Sequence, residues 1–465
     1  MNRFLLPLVL LLSGCASFSP DGGMDRVAAL TRERTGQAPP APPAAESQDS
    51  AAQRAAELLR APLAQEGAVE LALLQHRGLQ ARFAALGVAE ADRVRAGRLA
   101  NPVLGFGRLR EGGGALEIER SLVFNLLGLL TLPAAQRVEQ ERFAQAQTET
   151  AAAAVEQARQ AREAWTEAVA AQQLVQYFAQ VQDAADAANV LARRMVQAGN
   201  FPALAQMREQ AFHAEAVADL ARARHRALAA RERLVRALGL SGAQLHALQL
   251  PARLPGLPPA QAVPVQAEDQ AIARRLDLLA ARQRAEALAR QLGLAEATGF
   301  VNLLELGVQS KSSTGAPRTT GWEAAVELPL FDFGRVRWAG AEARYRQSLH
   351  EAADVALQAR SEVRESWSAY RTAHGLARHW RDEVVPLRQR IAEQNLLRYN
   401  GMLIGVFELL ADAREQVRSV AAAVEALRDF WLADSRLQQA MAVPPSPPSP
   451  PSPTPPSSPN GHAGH

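Results

Sequence analysis

The chain has 465 residues, 51 basic and 48 acidic, with a net charge of +3. No basic tract is concentrated enough to suggest nucleic-acid binding, and aromatics, at 5%, are thin for large globular cores. Ala, Gln, Arg, Glu and Leu dominate, as in long helices, and the sole cysteine, Cys15, excludes a disulfide framework and a cysteine metal cluster.

At the N-terminus Arg3 gives a positive start, Phe4 to Leu12 is apolar, and Leu12-Ser13-Gly14-Cys15 follows. The apolar run is too short to span a membrane as a helix and reads as a signal peptide over 1–14. Leu-Ser-Gly-Cys resembles the bacterial lipobox, which implies lipidation at Cys15. With Ala16 next in line, the same resemblance implies an outer-membrane lipoprotein facing the periplasm. Residues 15–60, rich in Ala, Pro, Ser and Gly at first, are expected to form a lipidated, flexible lead-in. No later stretch approaches eighteen apolar residues, so no transmembrane helix is expected.

The rest of the chain repeats itself. Arg137-Val138 answers Arg335-Val336 at an offset of 198, Ala161-Arg162-Glu163-Ala164-Trp165 answers Val363-Arg364-Glu365-Ser366-Trp367 at 202, and Met207-Arg208-Glu209-Gln210 answers Ala413-Arg414-Glu415-Gln416 at 206. The offset grows by about one helical turn each time, which a helix absorbs while keeping its faces. The first repeat covers 61–240. It reads as a helix over about 66–98, strands near 103–110 and 116–125, and a long helix from about 134. A break at Ala198-Gly199-Asn200-Phe201-Pro202 precedes a further helix to 239. A proline-rich linker occupies 241–267. The second repeat, 268–441, has a helix near 268–297, strands near 300–310 and 321–330, and a helix from about 335 kinked at Pro386. It breaks at Asn400-Gly401 and resumes to 441. Glycine and asparagine at the breaks tolerate left-handed backbone, and proline can start the next helix. The long runs would each span roughly 100 Å. The tail, 442–465, is nearly all Pro and Ser and is expected to stay unpacked.

The strands alternate. Leu116, Ile118, Leu122 and Phe124 fall on one face, interrupted by Arg120, against Glu117, Glu119, Ser121 and Asn125. Leu304, Leu306 and Val308 oppose Glu305 and Gln309, and Trp322, Ala324, Val326 and Leu328 oppose Glu323 and Glu327. Strands with one apolar and one acidic face suit a transmembrane barrel, lipid outside and water inside. Four strands cannot close, and open edges in lipid leave backbone groups unsatisfied, so several chains must contribute. Two copies give eight strands and a filled interior; three give twelve and room for a channel. The fold expected is mainly α with a membrane β-barrel portion.

Glu327 to Arg335, Glu-Leu-Pro-Leu-Phe-Asp-Phe-Gly-Arg, resembles the strand-to-helix signature of the TolC-like outer-membrane efflux proteins. Arg398-Tyr399-Asn400-Gly401-Met402-Leu403-Ile404-Gly405-Val406-Phe407-Glu408-Leu409-Leu410 resembles their second periplasmic tip. Arg275-Leu276-Asp277-Leu278 resembles their second-repeat opening, with Leu where Pro is usual, and Asn101-Pro102 matches the entry to the first strands. The resemblance covers about residues 60–441. It implies a homotrimer with a twelve-stranded barrel, four strands per chain, continued by a long periplasmic helical barrel. It also implies a periplasmic adaptor and an inner-membrane pump, of the resistance-nodulation-division type, as partners. Met402 to Leu410 most resembles the heavy-metal branch, exporting copper or cobalt, zinc and cadmium; drug or solvent export is the alternative.

Glu408 and Asp412, four apart on a helix, share a face and are candidates for acidic rings at a pore constriction. The tips Gly199, Asn200, Phe201 and Asn400, Gly401, Met402, Leu403, Ile404 are expected to dock the adaptor. Glu117, Glu119, Glu305, Glu323 and Glu327 are expected to line the barrel lumen, with Trp322 and Phe300 in an aromatic girdle. His462 and His465 form at most a weak metal-binding tail; His374 and His379, five apart, do not share a helix face. No catalytic triad, zinc helix, phosphate loop or dinucleotide turn is present in the sequence, so neither enzyme activity nor a cofactor is expected. The rival from another class is a pore-free coiled-coil lipoprotein of the periplasm, which would have no need of amphipathic strands.

Overall fold

A computed structural model describes residues 17–40, 45–110, 114, 116–199, 201–260 and 266–445. The signal at 1–14, Cys15, Asn200, the tail from 446, and His462 and His465 within it lie outside the described residues. The described chain divides into two compact units: residues 17–27, Ala81–Ala152 and Arg275–Gln358 in the first, and Ala28–Gln80, Ala153–Arg274 and residues 359–445 in the second.

The first unit carries the sheet. Strands β1 (Val103–Arg110), β2 (Leu116–Asn125), β3 (Leu303–Ser313) and β4 (Thr319–Glu327) form one antiparallel sheet in chain order. The repeats join between β2 and β3, where Leu122 pairs with Val308 and Asn125 with Glu305. β1 and β4 are edges, each with one neighbour among the described residues.

At the end of β2, Asn125 Oδ1 accepts the Gly128 N–H at 2.7 Å, an N-cap that starts a helix at once. Helix α5 therefore runs Leu126–Gln197, 72 residues with Pro133 inside it. The expected start near 134 is corrected: the cap outweighs the single ladder bond that Pro133 removes. At the end of β4 the turn is built differently. Pro329 O accepts Phe333 N–H at 2.8 Å, and Asp332 Oδ1 accepts Gly334 N–H at 3.1 Å. Gly334 has φ 74°, and a Cβ there would strike the Gly299 carbonyl, so only glycine fits. Helix α10, Arg335–His379, follows; a π-helical turn, Trp380–Val384, then leads into α11, Val385–Asn400, with Pro386 in its first turn.

Two helices expected to be single are each broken. The first is split at His76 into α3 (Gln65–Gln75) and α4 (Arg77–Ala96). The second is split at Arg275 into α8 (Ala267–Arg274) and α9 (Leu276–Ala297). Both break residues are extended, with ψ 114° and 129°, and they lie 199 positions apart, so the break itself is part of the repeat.

The lead-in is also corrected. Residues 24–35 form helix α1 (Met24–Thr35), and Ala45–Leu58 forms α2. In the first unit Glu90, itself buried, accepts from the backbone N–H of Ser19 at 2.7 Å and from its hydroxyl at 2.5 Å, while Gln147 Nε2 donates to the Gly23 carbonyl at 2.9 Å. In the second unit Arg34 donates to the Arg274 carbonyl at 2.6 Å and Arg162 to the Thr35 carbonyl at 3.1 Å. Specific polar anchors hold a segment that is poor in large apolar residues.

The second unit holds the main core, where Leu63, Leu71, Trp165, Val169, Leu234, Leu238, Tyr370 and Phe430 pack together. Helix α6 (Ala203–Leu238) and the closing helix α12 (Val406–Met441) both contribute. Beyond a short helical turn, α7 (Gln244–Ala247), the proline-rich linker crosses this core. Its carbonyls at Pro255 and Pro258 accept from Trp431 Nε1 at 3.1 Å and pair with His374 Nε2 at 3.0 Å. Those linker carbonyls lack ladder partners, and the second repeat supplies them.

Candidate functional site

The sheet separates its side chains by charge. Directly paired residues share a face, and the register puts Glu117, Glu119, Glu305, Glu323 and Glu327 all on one face. Lys311, also on that face, reaches Glu117 and Glu119, Nζ to Oε1 at 2.6 Å in both cases. Glu327 Oε1 accepts from Asn302 Nδ2 at 3.2 Å. Gly105, Gly107, Gly307 and Gly321 fall on this same face, so the acidic side chains meet little bulk beside them.

The opposite face is apolar and open. Leu104, Phe106, Val308, Trp322 and Val326 lie on it and are exposed, Trp322 at 74%. At the strand–helix junction Phe300, Leu328, Leu330, Phe331 and Phe333 are exposed as well, Phe331 fully. From Trp322 to Leu328 the apolar band spans roughly 20 Å at about 3.3 Å per residue. An apolar surface of this size calls for a non-aqueous neighbour. No helix among the described residues is long and apolar enough to cross a membrane.

The two breaks separate α5 from α6 and α11 from α12. At the first, Gly199 takes φ 77°, and its N–H bonds the Val196 carbonyl at 2.9 Å. Phe201 is half-buried beside it. At the second, α11 ends in a Schellman motif: Leu403 N–H reaches the Arg398 carbonyl at 2.8 Å and Met402 N–H the Tyr399 carbonyl at 2.9 Å. The left-handed residue is Met402, φ 56°, not Gly401, whose φ is −82°. Met402 is 94% exposed and Leu403 72%, while Ile404 is half-buried.

Glu408 is exposed in the first turn of α12. Asp412, one turn on, is half-buried and accepts a hydrogen bond from Asn395 Nδ2 of α11. The two acids share a helix face in sequence, but Asp412 is engaged by the neighbouring helix. Sequence reasoning missed a third acid nearby. Glu209 of α6 is buried and pairs with Arg414 Nη2 of α12 at 3.1 Å, and the Arg414 guanidinium lies 4.4 Å from the centre of the Phe212 ring. Burial pushes the Glu209 carboxyl up, against the charge of Arg414. The only signal in the sequence was the matched Arg-Glu pair of the two repeats, Arg208-Glu209 and Arg414-Glu415, which carries no hint of which members meet.

No group of three or more His, Cys, Asp or Glu side chains among the described residues could hold a metal ion. His374 is committed to the linker, and His379 lies 3.1 Å from Glu383, one turn on.

By sequence, no family model and no curated protein matches the chain. By structure it is similar to solved bacterial proteins. A membrane protein from Pseudomonas aeruginosa is 18% identical with a TM-score of 0.71, over 81% of this chain and 93% of that one. The open state of the Neisseria gonorrhoeae MtrE outer membrane channel is 14% identical with a TM-score of 0.67, over 82% and 89%. The Campylobacter jejuni CmeC outer membrane channel is 12% identical with a TM-score of 0.66, over 85% and 86%. The chain, mostly helical with one four-stranded antiparallel sheet, has the fold of these outer-membrane channels.

Proposed function

We propose that the chain is the outer-membrane channel of a tripartite efflux assembly, inserted through its sheet and lipid-anchored at Cys15. The observation that carries the reading is the two-faced sheet with both edges open. One face is acidic and the other apolar and exposed, and neither β1 nor β4 has a second neighbour among the described residues. In lipid those edges must be closed by further copies. Three copies make a twelve-stranded barrel with the five glutamates of each chain facing a water-filled lumen, and the helices continue the wall into the periplasm. The exposed Met402 and Leu403 are the side chains we assign to docking a periplasmic adaptor, with Gly199 and Phe201 at the other tip. An inner-membrane pump supplies the energy. We assign Glu408 and Asp412 to a narrowing of the pore at these tips.

The cargo that the reading names is heavy-metal ions, on the resemblance of the second tip to that branch; they would pass through rather than reside. The test has two parts. Purified full-length protein is added to planar bilayers, and the expected result is discrete channels from an oligomer that survives mild SDS. A monomer that never conducts would sink the channel. A deletion strain is then grown across copper, zinc, cobalt and cadmium beside dyes, detergents and antibiotics. Sensitivity confined to metals is expected; sensitivity to drugs with metals unaffected reassigns the cargo and leaves the channel standing. Within the channel, neutralising both Glu408 and Asp412 is expected to lower cation selectivity.

A further inference from the structure

The apolar face of the sheet is not uniform. The last residues of β1 and β3, Arg110 and Ser313, and the first of β2 and β4, Leu116 and Thr319, lie at the end of the sheet away from the helices. In the three rows of residues nearest that end, this face carries Arg108, Arg110 and Arg120 with Ser310, Ser312 and Thr320, beside Leu116, Ile118 and Phe106. Arg318, just before β4, joins them by donating Nε to Ser310 Oγ at 2.8 Å. The rows nearer the helices carry only Leu, Phe, Val, Trp and Ala. Among the described residues the strands carry three arginines and no carboxylate on this face, Arg318 joins as a fourth, and all five strand glutamates lie on the other side. Arg108, Arg110, Arg120 and Arg318 are all exposed. Arg120 and Arg318 flank Ser310 and share with Trp322, Leu122 and Val308 a shallow groove of about 540 Å³.

On a lipid-facing surface, unpaired arginines are costly unless an anion meets them. Period-2 alternation alone would have allowed neutral polar residues here. Guanidinium groups are suited to bidentate contact with phosphate, and Trp322 with its aliphatic neighbours offers acyl chains a surface directly below. We propose that this belt binds the phosphate groups of glycolipid headgroups in the outer leaflet of the outer membrane. The groove under Arg120 and Arg318 would seat one phosphate with its adjoining acyl chain. Charge complementarity selects this occupant: the rows nearest the helices, at the opposite leaflet, carry no such cations on this face. The inference rests on the channel reading above.

Full-length trimer in neutral detergent is titrated with bis-phosphorylated lipid A, with the same lipid A stripped of both phosphates, and with phosphatidylglycerol. Binding is read by native mass spectrometry and by the shift in melting midpoint. Wild type is expected to bind the bis-phosphorylated form and to be stabilised by it, with a weak response to the other two lipids. R108Q/R120Q/R318Q is expected to lose about a hundredfold in apparent affinity, at about 1 kcal/mol per arginine. Arg318→Gln alone serves as the milder variant should the triple change fail to assemble. Equal binding of the dephosphorylated lipid, equal binding of phosphatidylglycerol, or undiminished binding by the variants overturns the proposal. Conductance in phosphatidylcholine bilayers is recorded in parallel. If wild type conducts there and shows no phosphate preference, only this inference falls. If it never conducts, the channel reading falls and takes the inference with it.

Discussion

Arg414 of α12 reaches Glu209 of α6 at 3.1 Å while its guanidinium covers Phe212, so one side chain makes both the ionic and the cation–π contact between these two helices. Glu209 is 3% exposed, and its second oxygen has no partner. Removing the cation leaves a buried carboxylate alone. Arg414→Ala is therefore expected to destabilise by about 3 kcal/mol, with faster amide exchange over 203–215 and 406–416. The double variant Glu209→Leu with Arg414→Met is expected to recover most of the loss, because a matched apolar pair has no charge to desolvate. Melting midpoints of the three proteins in one detergent decide it. A single variant as stable as wild type would mean that the pair is solvated.

Asp434 of α12 is buried, and burial lifts its carboxyl to about 6 although the charge of Arg162 opposes the rise. The same burial lowers Arg162 to about 10. The sign follows from proton counts: between the ordinary carboxylate value, 3.8, and about 6 the folded chain holds a proton that the unfolded chain has released. Stability contributed at this site therefore falls as pH rises through that window, by about 3 kcal/mol in all, and is flat above it. Arg162 adds no slope there, being charged in both states. Asp434→Asn is expected to remove this descending limb. Melting midpoints taken from pH 4 to pH 7 for the two proteins test it, and parallel curves would refute it.

Much of the sheet was legible because its pattern is local. Period-2 alternation placed the strands and put the five glutamates on one face, and Asp332 with Gly334 marked the turn. The breaks at Gly199 and Asn400-Gly401 were legible for the same reason. What stayed hidden depends on partners far along the chain. Ser19 finds Glu90, Arg34 finds the Arg274 carbonyl, and Pro255 finds Trp431, none of which leaves a mark in a sequence window. Neither break residue, His76 or Arg275, is a glycine or proline, and the two breaks become visible only as a pair. At the second tip the visible Gly401 drew attention from Met402, where the left-handed residue falls. Asp412 looked free beside Glu408 until Asn395 of the neighbouring helix came into view.

Among the described residues Lys311 is the one cation on the acidic face of the sheet, and it bridges Glu117 and Glu119. On the channel reading, replacing it removes three positive charges per trimer from the lumen and releases six carboxylates to the water. Lys311→Gln is expected to increase cation over anion permeability, read as a larger reversal potential across a KCl gradient. Because Lys311 is exposed to water, loss of these pairs is expected to leave the melting midpoint nearly unchanged. An unchanged reversal potential would place Lys311 away from the conducting path.

Met402 occupies a left-handed conformation that costs a residue with a Cβ about 1–2 kcal/mol and costs glycine nothing. Its side chain gains nothing in return from the folded chain, being 94% exposed. A non-glycine residue held in this conformation and left bare is what a contact residue for a partner would be. Met402→Gly is expected to tighten the local turn, slowing exchange of the Met402 and Leu403 amides by about tenfold, and, on the channel reading, to weaken capture of a periplasmic adaptor by a cross-linker placed at Leu403. The two readouts move in opposite directions only if the side chain serves the partner. Tighter exchange with undiminished cross-linking would leave Leu403 as the contact and Met402 as a tolerated strain.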